Sequence, residues 1–412
     1  MRAVLEAAPF PMSSCRDFNG LPMPRILILS GEASGDQHGA SLAEALKSRD
    51  PDIELEGLGG ARMEAAGVRL LSGIDKLDII GVPTLPELRR AYVVFHKLAR
   101  YIRENTFDAV VLIDNPGLNL RLARVAKRAG QRVIYYIAPQ IWAWNEGRIK
   151  KIRRYVDRLL VILPFERAYF GKAGVDCRFV GHPIMDELQQ DYDVAALRRE
   201  FGLSEAGSIV GLLPGSRKSE ILRLLPVMLD AAKLLLAENS SKGGAARQCV
   251  LVHAASVPRD MIDGFIAAAG IAITVIPERP YEAIALCDAV MVASGTATLQ
   301  TALVGRPMTI VYRTGALTYQ IYKRLIKVPW IGLANLVAGR QIAAELIQDN
   351  LTPDRLTVEI ELLLTPERAQ QARDVSAELR KSMGAPGASG RAADEIMNMI
   401  REASNNSRTL IA

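Results

Sequence analysis

Two turns in the second half of the chain have the residues to hold an anion. Ser208-Ile-Val-Gly-Leu-Leu-Pro-Gly-Ser-Arg-Lys-Ser-Glu220 runs an apolar strand into a Pro-Gly-Ser turn carrying Arg217, then into a helix. Backbone N–H groups at the opening of a helix, its positive dipole end and a guanidinium together favour phosphate, with Ser216 and Arg217 as the contacts. A glycine-containing strand-to-helix turn also occurs for purely structural reasons. Asp288-Ala-Val-Met-Val-Ala-Ser-Gly-Thr-Ala-Thr-Leu-Gln300 repeats the pattern and adds Ser294, Gly295 and Thr296, which favours a phosphate-bearing ligand.

The first half supplies carboxylates. Ser30-Gly-Glu-Ala-Ser-Gly-Asp36 follows the first strand and sets Glu32, Ser34, Asp36 and His38 at its carboxyl end, where open α/β sheets bind ligands. Helix capping by Ser34 or Asp36 is the ordinary alternative. Val111-Leu-Ile-Asp-Asn-Pro-Gly117 ends a wholly apolar strand in Asp114. A carboxylate is costly there unless paired or used, so Asp114 is the candidate general base, against a structural Asp bonded to loop amides. Tyr135-Tyr-Ile-Ala-Pro-Gln-Ile-Trp-Ala-Trp-Asn145 brings two tryptophans that suit a sugar, an acyl chain or a core.

Positioning these residues requires parallel strands. Ile26–Leu29, Ala109–Ile113, Arg132–Ile137 and Leu159–Leu163 read as buried strands alternating with helices. The second half repeats this with Ile209–Leu213, Cys249–His253, Ile271–Val275, Ala289–Val292 and Met308–Val311. Gly181-His-Pro183 and the polar stretch Glu187 to Asp193 form the expected linker. The fold class is α/β, with two Rossmann-like domains facing across a cleft. Expected divisions are a disordered lead at 1–24, a first domain at 25–190, a second at 205–380, and a joint with a final helix at 381–412.

Length, at 412 residues, exceeds one core and fits two domains. Composition is globular, 49% hydrophobic and 23% charged, without an apolar run long enough to span a bilayer. Cys15, Cys177, Cys249 and Cys287 lack metal or redox spacing and fit thiols of a reducing cytoplasm. Residues 1–24 hold four prolines and no secretory pattern, and Met23, directly before the first strand, is an alternative start. Gly57-Leu-Gly-Gly60 fails the G-x-G-x-x-G dinucleotide pattern, which argues against NAD. Asp50-Pro-Asp52 and Asp191-Tyr-Asp193 have a metal-holding spacing but sit in turns, where Asp is a turn former. No metal and no cofactor are expected. Net charge of +6 invites an anionic partner, through Arg89, Arg90, Lys97, Arg100 and Arg103 or Arg148, Lys150, Lys151, Arg153, Arg154 and Arg158.

Eight motifs occur in order: Gly31-Glu-Ala-Ser-Gly-Asp36, Ile113-Asp-x-Pro, Pro139-x-x-Trp-Ala-Trp144, Leu163-Pro-Phe-Glu166, Phe179-x-Gly-His-Pro183, Leu213-Pro-Gly-Ser-Arg217, Ser294-Gly-Thr296 and Leu333-x-Asn-Leu-x-Ala-Gly-Arg340. From about Arg25 to Gln348 the chain thus resembles the lipid-A-disaccharide synthases. The resemblance implies a metal-independent inverting glycosyltransferase of GT-B fold. It would join UDP-2,3-diacylglucosamine to 2,3-diacylglucosamine 1-phosphate (lipid X), releasing UDP and the β-1′,6-linked disaccharide of lipid A. By matching position, Asp114 takes the base role, Arg217 and Ser294-Gly-Thr296 contact UDP, Asn335 and Arg340 lie near the nucleotide cleft, and Glu32 and Ser34 fall on the sugar or acceptor side. Two departures stand out. Gln300 replaces a Glu that typically binds ribose hydroxyls, which implies weaker nucleotide affinity, and Gly117 replaces a second Asp, which leaves the base role to Asp114.

Lipid substrates give the basic helices a purpose. Leu88, Tyr92, Phe95, Leu98 and Ile102 follow helical spacing with the cations largely elsewhere, as in an interfacial helix or an ordinary packed one; Ile79 to Pro83 is a further apolar candidate for acyl contact. The expected setting is cytoplasmic, peripheral on the anionic inner face of the inner membrane, with no nucleic acid partner. A homodimer that swaps C-terminal segments at the joint near Gly384 is also implied. The rivals are another UDP-sugar GT-B transferase or epimerase with a soluble acceptor, and a catalytically silent nucleotide-sugar or lipid-binding protein.

Overall fold

The computed structural model describes residues 23–31, 33–72, 85–143, 145–241, 246–325 and 327–409. The first half forms a seven-stranded sheet from β1 (Arg25–Ser30), β2 (Glu54–Leu58), β3 (Arg69–Leu70), β4 (Ala109–Ile113), β5 (Val133–Tyr136), β6 (Arg158–Val161) and β7 (Cys177–Phe179). Its order is β3-β2-β1-β4-β5-β6-β7, and every pairing is parallel. Parallel strands are covered by helices on both faces, which is why β4 and β5 are buried along their whole length.

The second half repeats the plan with β8 (Ile209–Leu213), β9 (Gln248–His253), β10 (Thr274–Pro277), β11 (Ala289–Ala293), β12 (Met308–Tyr312) and β13 (Ala344–Ile347). These six parallel strands run in the order β10-β9-β8-β11-β12-β13. Each sheet therefore reverses its winding once, between β1 and β4 in the first and between β8 and β11 in the second. Ligands of such sheets bind beyond the carboxyl ends of the strands at that switch point. The four segments singled out for chemistry leave these four strands: the loop after Ser30 leaves β1, Asp114 leaves β4, the Pro214–Arg217 turn leaves β8 and Ser294–Thr296 leaves β11.

Four strands lie beyond the expected set. β2 carries Glu54 and Glu56; Glu56 is buried and held by Arg25 at 2.8 Å and Arg69 at 2.7 Å. Ion pairing lets a strand with a polar reading enter the sheet. The remaining three, β3, β7 and β13, span four residues or fewer. The expected Ile271–Val275 strand starts later, at Thr274.

The final helix, Ala388–Thr409, extends the expected Arg391–Arg401 in both directions and returns to the first sheet. The preceding helix ends at Met383, and Gly384 and Gly387 turn the chain with φ of +84° and +96°. The returning helix packs on the helix Ala33–Arg49, burying Ala392, Ala393 and Ile396. Arg49 pairs with Asp394 at 2.5 Å, and Arg158 with Glu395 at 3.3 Å. Both D-x-D sequences serve local structure: Asp50 accepts from Asp52 N at 3.2 Å and Asp193 caps a helix through Ala196 N at 2.9 Å. Cys177, Cys249 and Cys287 are buried thiols. No described helix is long and apolar enough to cross a membrane.

Candidate active site

A cavity of about 470 Å³ opens at the second switch point, lined by the Gly215–Arg217 turn, Ser294–Ala297 and Gln300. Gly215 adopts φ +105°, and a Cβ there would stand 2.3 Å from Glu220 Oε2. Glu220 shows what the turn attracts. Its Oε2 accepts from Ser216 N at 3.1 Å and Arg217 N at 3.3 Å, and its Oε1 from Arg217 Nη1 at 3.2 Å. An anion of the chain itself thus sits on the donors proposed from sequence, three residues into the helix where a reciprocal cap belongs. Opposite, Gly295 with φ +152° opens the helix Thr296–Val304, whose first N–H groups border the same cavity. Ser294 Oγ donates to Ile331 O at 2.8 Å, tying this turn to the next loop.

At the first switch point the backbone is strained. Asp114 and Asn115 both take left-handed conformations, φ +47° and +42°, and Asp and Asn are among the non-glycine residues that tolerate this best. The strain is held by neighbours. Asn119 Nδ2 donates to Ile113 O at 2.9 Å and Asp114 O at 2.8 Å, and Tyr135 Oη donates to Asp114 O at 2.5 Å. Asn115 Oδ1 caps the following helix through Leu118 N at 3.3 Å. These bonds use the Asp114 carbonyl. The half-buried carboxyl is pushed above the usual carboxylate range by burial, partly offset by a backbone hydrogen bond from Asn115. A raised pKa suits a general base, whose proton affinity must approach that of its task. Gly31 brings the β1 loop against this turn, since a Cβ there would lie 2.3 Å from Asn115 Nδ2.

The two halves share a second cavity of about 290 Å³, in which Arg217, Glu220 and Ser294 meet Gln140 and Ala143 from the loop after β5. Beside it Lys327 ties the halves together, donating from its backbone N to Ala143 O at 3.1 Å and from Nζ to Glu146 Oε2 at 2.7 Å. Trp142 is buried; its indole donates to Glu166 Oε1 at 3.0 Å while Glu166 Oε2 accepts from Leu163 N at 3.1 Å. Burial raises the Glu166 carboxyl to about 7 against the pull of these donors.

Asp114 lines neither cavity, and nor do Asn335 and Arg340. Asn335 is fully buried: its Nδ2 donates to Ala343 O at 3.0 Å and Glu345 Oε1 at 2.9 Å, and its Oδ1 accepts from Ile342 N at 2.8 Å and Ala343 N at 3.0 Å. Glu345 in turn accepts from Ile331 N and Gly332 N, so Asn335 shapes the loop that touches Ser294. Arg340 is exposed and paired with Glu378 at 2.6 Å. Glu32, Trp144 and the Ile79–Pro83 segment lie outside the described residues; Ser34 falls in the helix Ala33–Arg49, though nothing is described of its side chain. Asp36 does cap, but a different helix: it accepts from Gly60 N at 2.5 Å and Met63 N at 3.2 Å.

Sequence reasoning passed over Glu220, legible as the third residue of its helix, and Glu278, which lines the cavity at the second switch point in a left-handed conformation, φ +50°. It also missed a relay. Gln300 bonds Tyr281, whose Oη donates to Glu187 Oε2 at 3.0 Å, while Gln37 of the first domain donates to Glu187 Oε1 at 2.6 Å.

Residues 26–396 match the family model described as lipid-A-disaccharide synthetase. The chain belongs to this family. The lipid-A-disaccharide synthase of Geobacter metallireducens is 41% identical over 92% of this chain and 98% of its own length. That of Syntrophus aciditrophicus is 43% identical over the same shares. Among solved structures, Staphylococcus aureus MnaA with UDP aligns at TM-score 0.61 and 12% identity over 93% of this chain and 97% of its own. The calicheamicin glycosyltransferase CalG4 aligns at 0.57 and 14% identity over 92% and 99%. At such identities the likeness is one of fold. The chain is thus a glycosyltransferase of GT-B architecture.

Proposed function

We propose that the chain transfers 2,3-diacylglucosamine from its UDP ester to the 6-hydroxyl of 2,3-diacylglucosamine 1-phosphate, forming the β-1′,6 disaccharide and UDP. The observation that carries this is a site shared by the two halves: Arg217 and Ser294 border both the nucleotide-side cavity and a cavity lined by Gln140 and Ala143 of the first domain. Residues 25–190 form the acceptor and lipid domain and 205–380 the UDP-sugar domain. Asp114 accepts the proton of the acceptor hydroxyl as its oxygen attacks the anomeric carbon, and the bond to the diphosphate breaks with inversion. The diphosphate gains charge as it leaves. Ser216, the Arg217 guanidinium and the N–H groups of Gly295 and Thr296 oppose that charge where Glu220 now lies. Gln300 takes a ribose hydroxyl; Glu32 and Ser34 act on the sugar side.

Asn335 supports this site from a distance, through Glu345 and the Ile331 loop. Incubation with both lipids is expected to yield UDP and disaccharide in equal amounts. Wild-type protein that binds UDP-sugar but releases no UDP with this acceptor would favour the soluble-acceptor or binding-protein readings instead.

The enzyme works at the anionic inner face of the membrane, with the helix Leu85–Glu104 at the interface. Its inner face buries Val94, Leu98 and Ile102 in the core, while Tyr92 is 65% and Val93 44% exposed. Such outward apolar side chains among cations suit a lipid headgroup region. Exchange of the helix Ala388–Thr409 at the Gly384–Gly387 joint is the route to a swapped homodimer. Elution at twice the chain mass, lost on deletion of residues 388–412, tests it; monomeric elution sinks it.

A further inference from the structure

A groove of about 740 Å³ lies away from both cavities, between the helices Leu85–Glu104, Pro116–Arg128 and Ile149–Tyr155. Seven cations line it, Arg103, Arg121, Arg124, Arg128, Lys150, Lys151 and Arg154, and its lining contains no carboxylate. Elsewhere the arginines of this protein are commonly paired: Arg25 with Glu56, Arg158 with Asp176, Arg247 with Glu361, Arg279 with Glu200. Phe95, Leu120, Val125 and Tyr155 supply apolar walls. A cleft of one charge sign with low-dielectric walls focuses its field on an incoming counter-ion, and like charges held this close destabilise the fold until one arrives.

One helix joins the groove to the turn that carries Asp114. The helix Pro116–Arg128 starts two residues after Asp114 and carries Arg121, Arg124 and Arg128 on one face. Arg121 stands about 8 Å along that helix from its start. Arg148 lies within electrostatic reach of both Arg121 and Tyr135, whose hydroxyl holds the Asp114 carbonyl.

We infer that this groove is the docking site for the phosphomonoester of the lipid acceptor, which it holds by Arg121 and Arg124 while the sugar hydroxyl reaches Asp114. The inference rests on the transferase reading above. A dianionic monoester makes bidentate bonds with guanidinium groups that the single charge of a diester headgroup matches less well.

The test titrates the full-length protein with 2,3-diacylglucosamine 1-phosphate bearing acyl chains short enough to stay monomeric. Arg121→Gln/Arg124→Gln is expected to weaken binding at least tenfold, Arg124→Gln alone by less, and Arg355→Gln, which removes a charge from the second domain, not at all. With the phosphate-free sugar, wild type and double variant are expected to bind alike. Unchanged affinity for the phosphorylated lipid overturns the inference, as does an equal loss for the phosphate-free one. A loss seen only on phosphatidylglycerol vesicles assigns the groove to the bulk membrane and also overturns it. Because binding is read without turnover, a wild type that binds the phosphate selectively yet releases no UDP sinks the transferase reading and leaves the groove standing.

Discussion

The placement of Asp114 and Arg217 just beyond strand ends was legible, Asp114 because a lone carboxylate ends an apolar strand and Arg217 because it follows a Pro-Gly-Ser turn; both signals are local. Asn335 and Arg340 were not, since a motif does not say which way a side chain faces. One is spent on four internal hydrogen bonds and the other on Glu378. Gln300 illustrates a change in charge alone. With a carboxylate in its place, Gln300→Glu is expected to tighten UDP binding by up to about tenfold in a titration; unchanged or weaker binding would remove the ribose assignment. Glu166 makes a separate prediction about stability. Its folded pKa of about 7 lies above the ordinary 4.5, chiefly through burial. Between those values the native state keeps a proton that the unfolded chain has released, so stability falls as pH rises through this window and is level above it. The loss is about 3 kcal/mol for a buried group shifted this far. Urea unfolding from pH 4.5 to 8 is expected to show that extra decline in wild type relative to Glu166→Gln, and parallel curves would contradict it.

Elements were legible where burial is complete. β4, β8 and β11 are continuous apolar runs buried throughout, and these carry three of the four site loops. β2 escaped notice because its buried Glu56 is tolerable only with Arg25 and Arg69 beside it, a tertiary fact invisible to local pattern. Short strands such as β3 and β7 give too few residues for a period to appear. Between elements, close approach sets the geometry. Gly31→Ala would drive a methyl against Asn115 and shift the strained turn that holds Asp114. Its expected effect is a fall in kcat of about tenfold or more with UDP affinity unchanged, because a small misplacement of a reacting group is costly while the proposed UDP contacts belong to the other sheet. Equal losses in kcat and UDP affinity would show that the β1 loop is not specific to the first switch point.

Across the whole molecule, duplication of one winding plan was readable from alternating strands and helices, and it sets the four loops at two switch points, one in each sheet. Where the final helix docks was not, because an amphipathic helix after a Gly-rich joint fits many surfaces; the pairing of Arg49 with Asp394 and Arg158 with Glu395 selects the first domain. Surface charge belongs to this scale too. Cosedimentation with phosphatidylglycerol vesicles is expected to fall steeply as salt rises from about 0.05 to 0.5 M, where screening shortens to a few ångströms, and salt-insensitive binding would contradict an electrostatic attachment. The central claim joins both domains in one transfer step with Asp114 as its base. Its most direct test is single-turnover formation of disaccharide from the two lipids by wild type and Asp114→Asn, each saturated with UDP-2,3-diacylglucosamine. The expected result is a rate reduced by about 10²–10⁴-fold with the UDP-sugar dissociation constant within about twofold. Turnover undiminished by Asp114→Asn would contradict it.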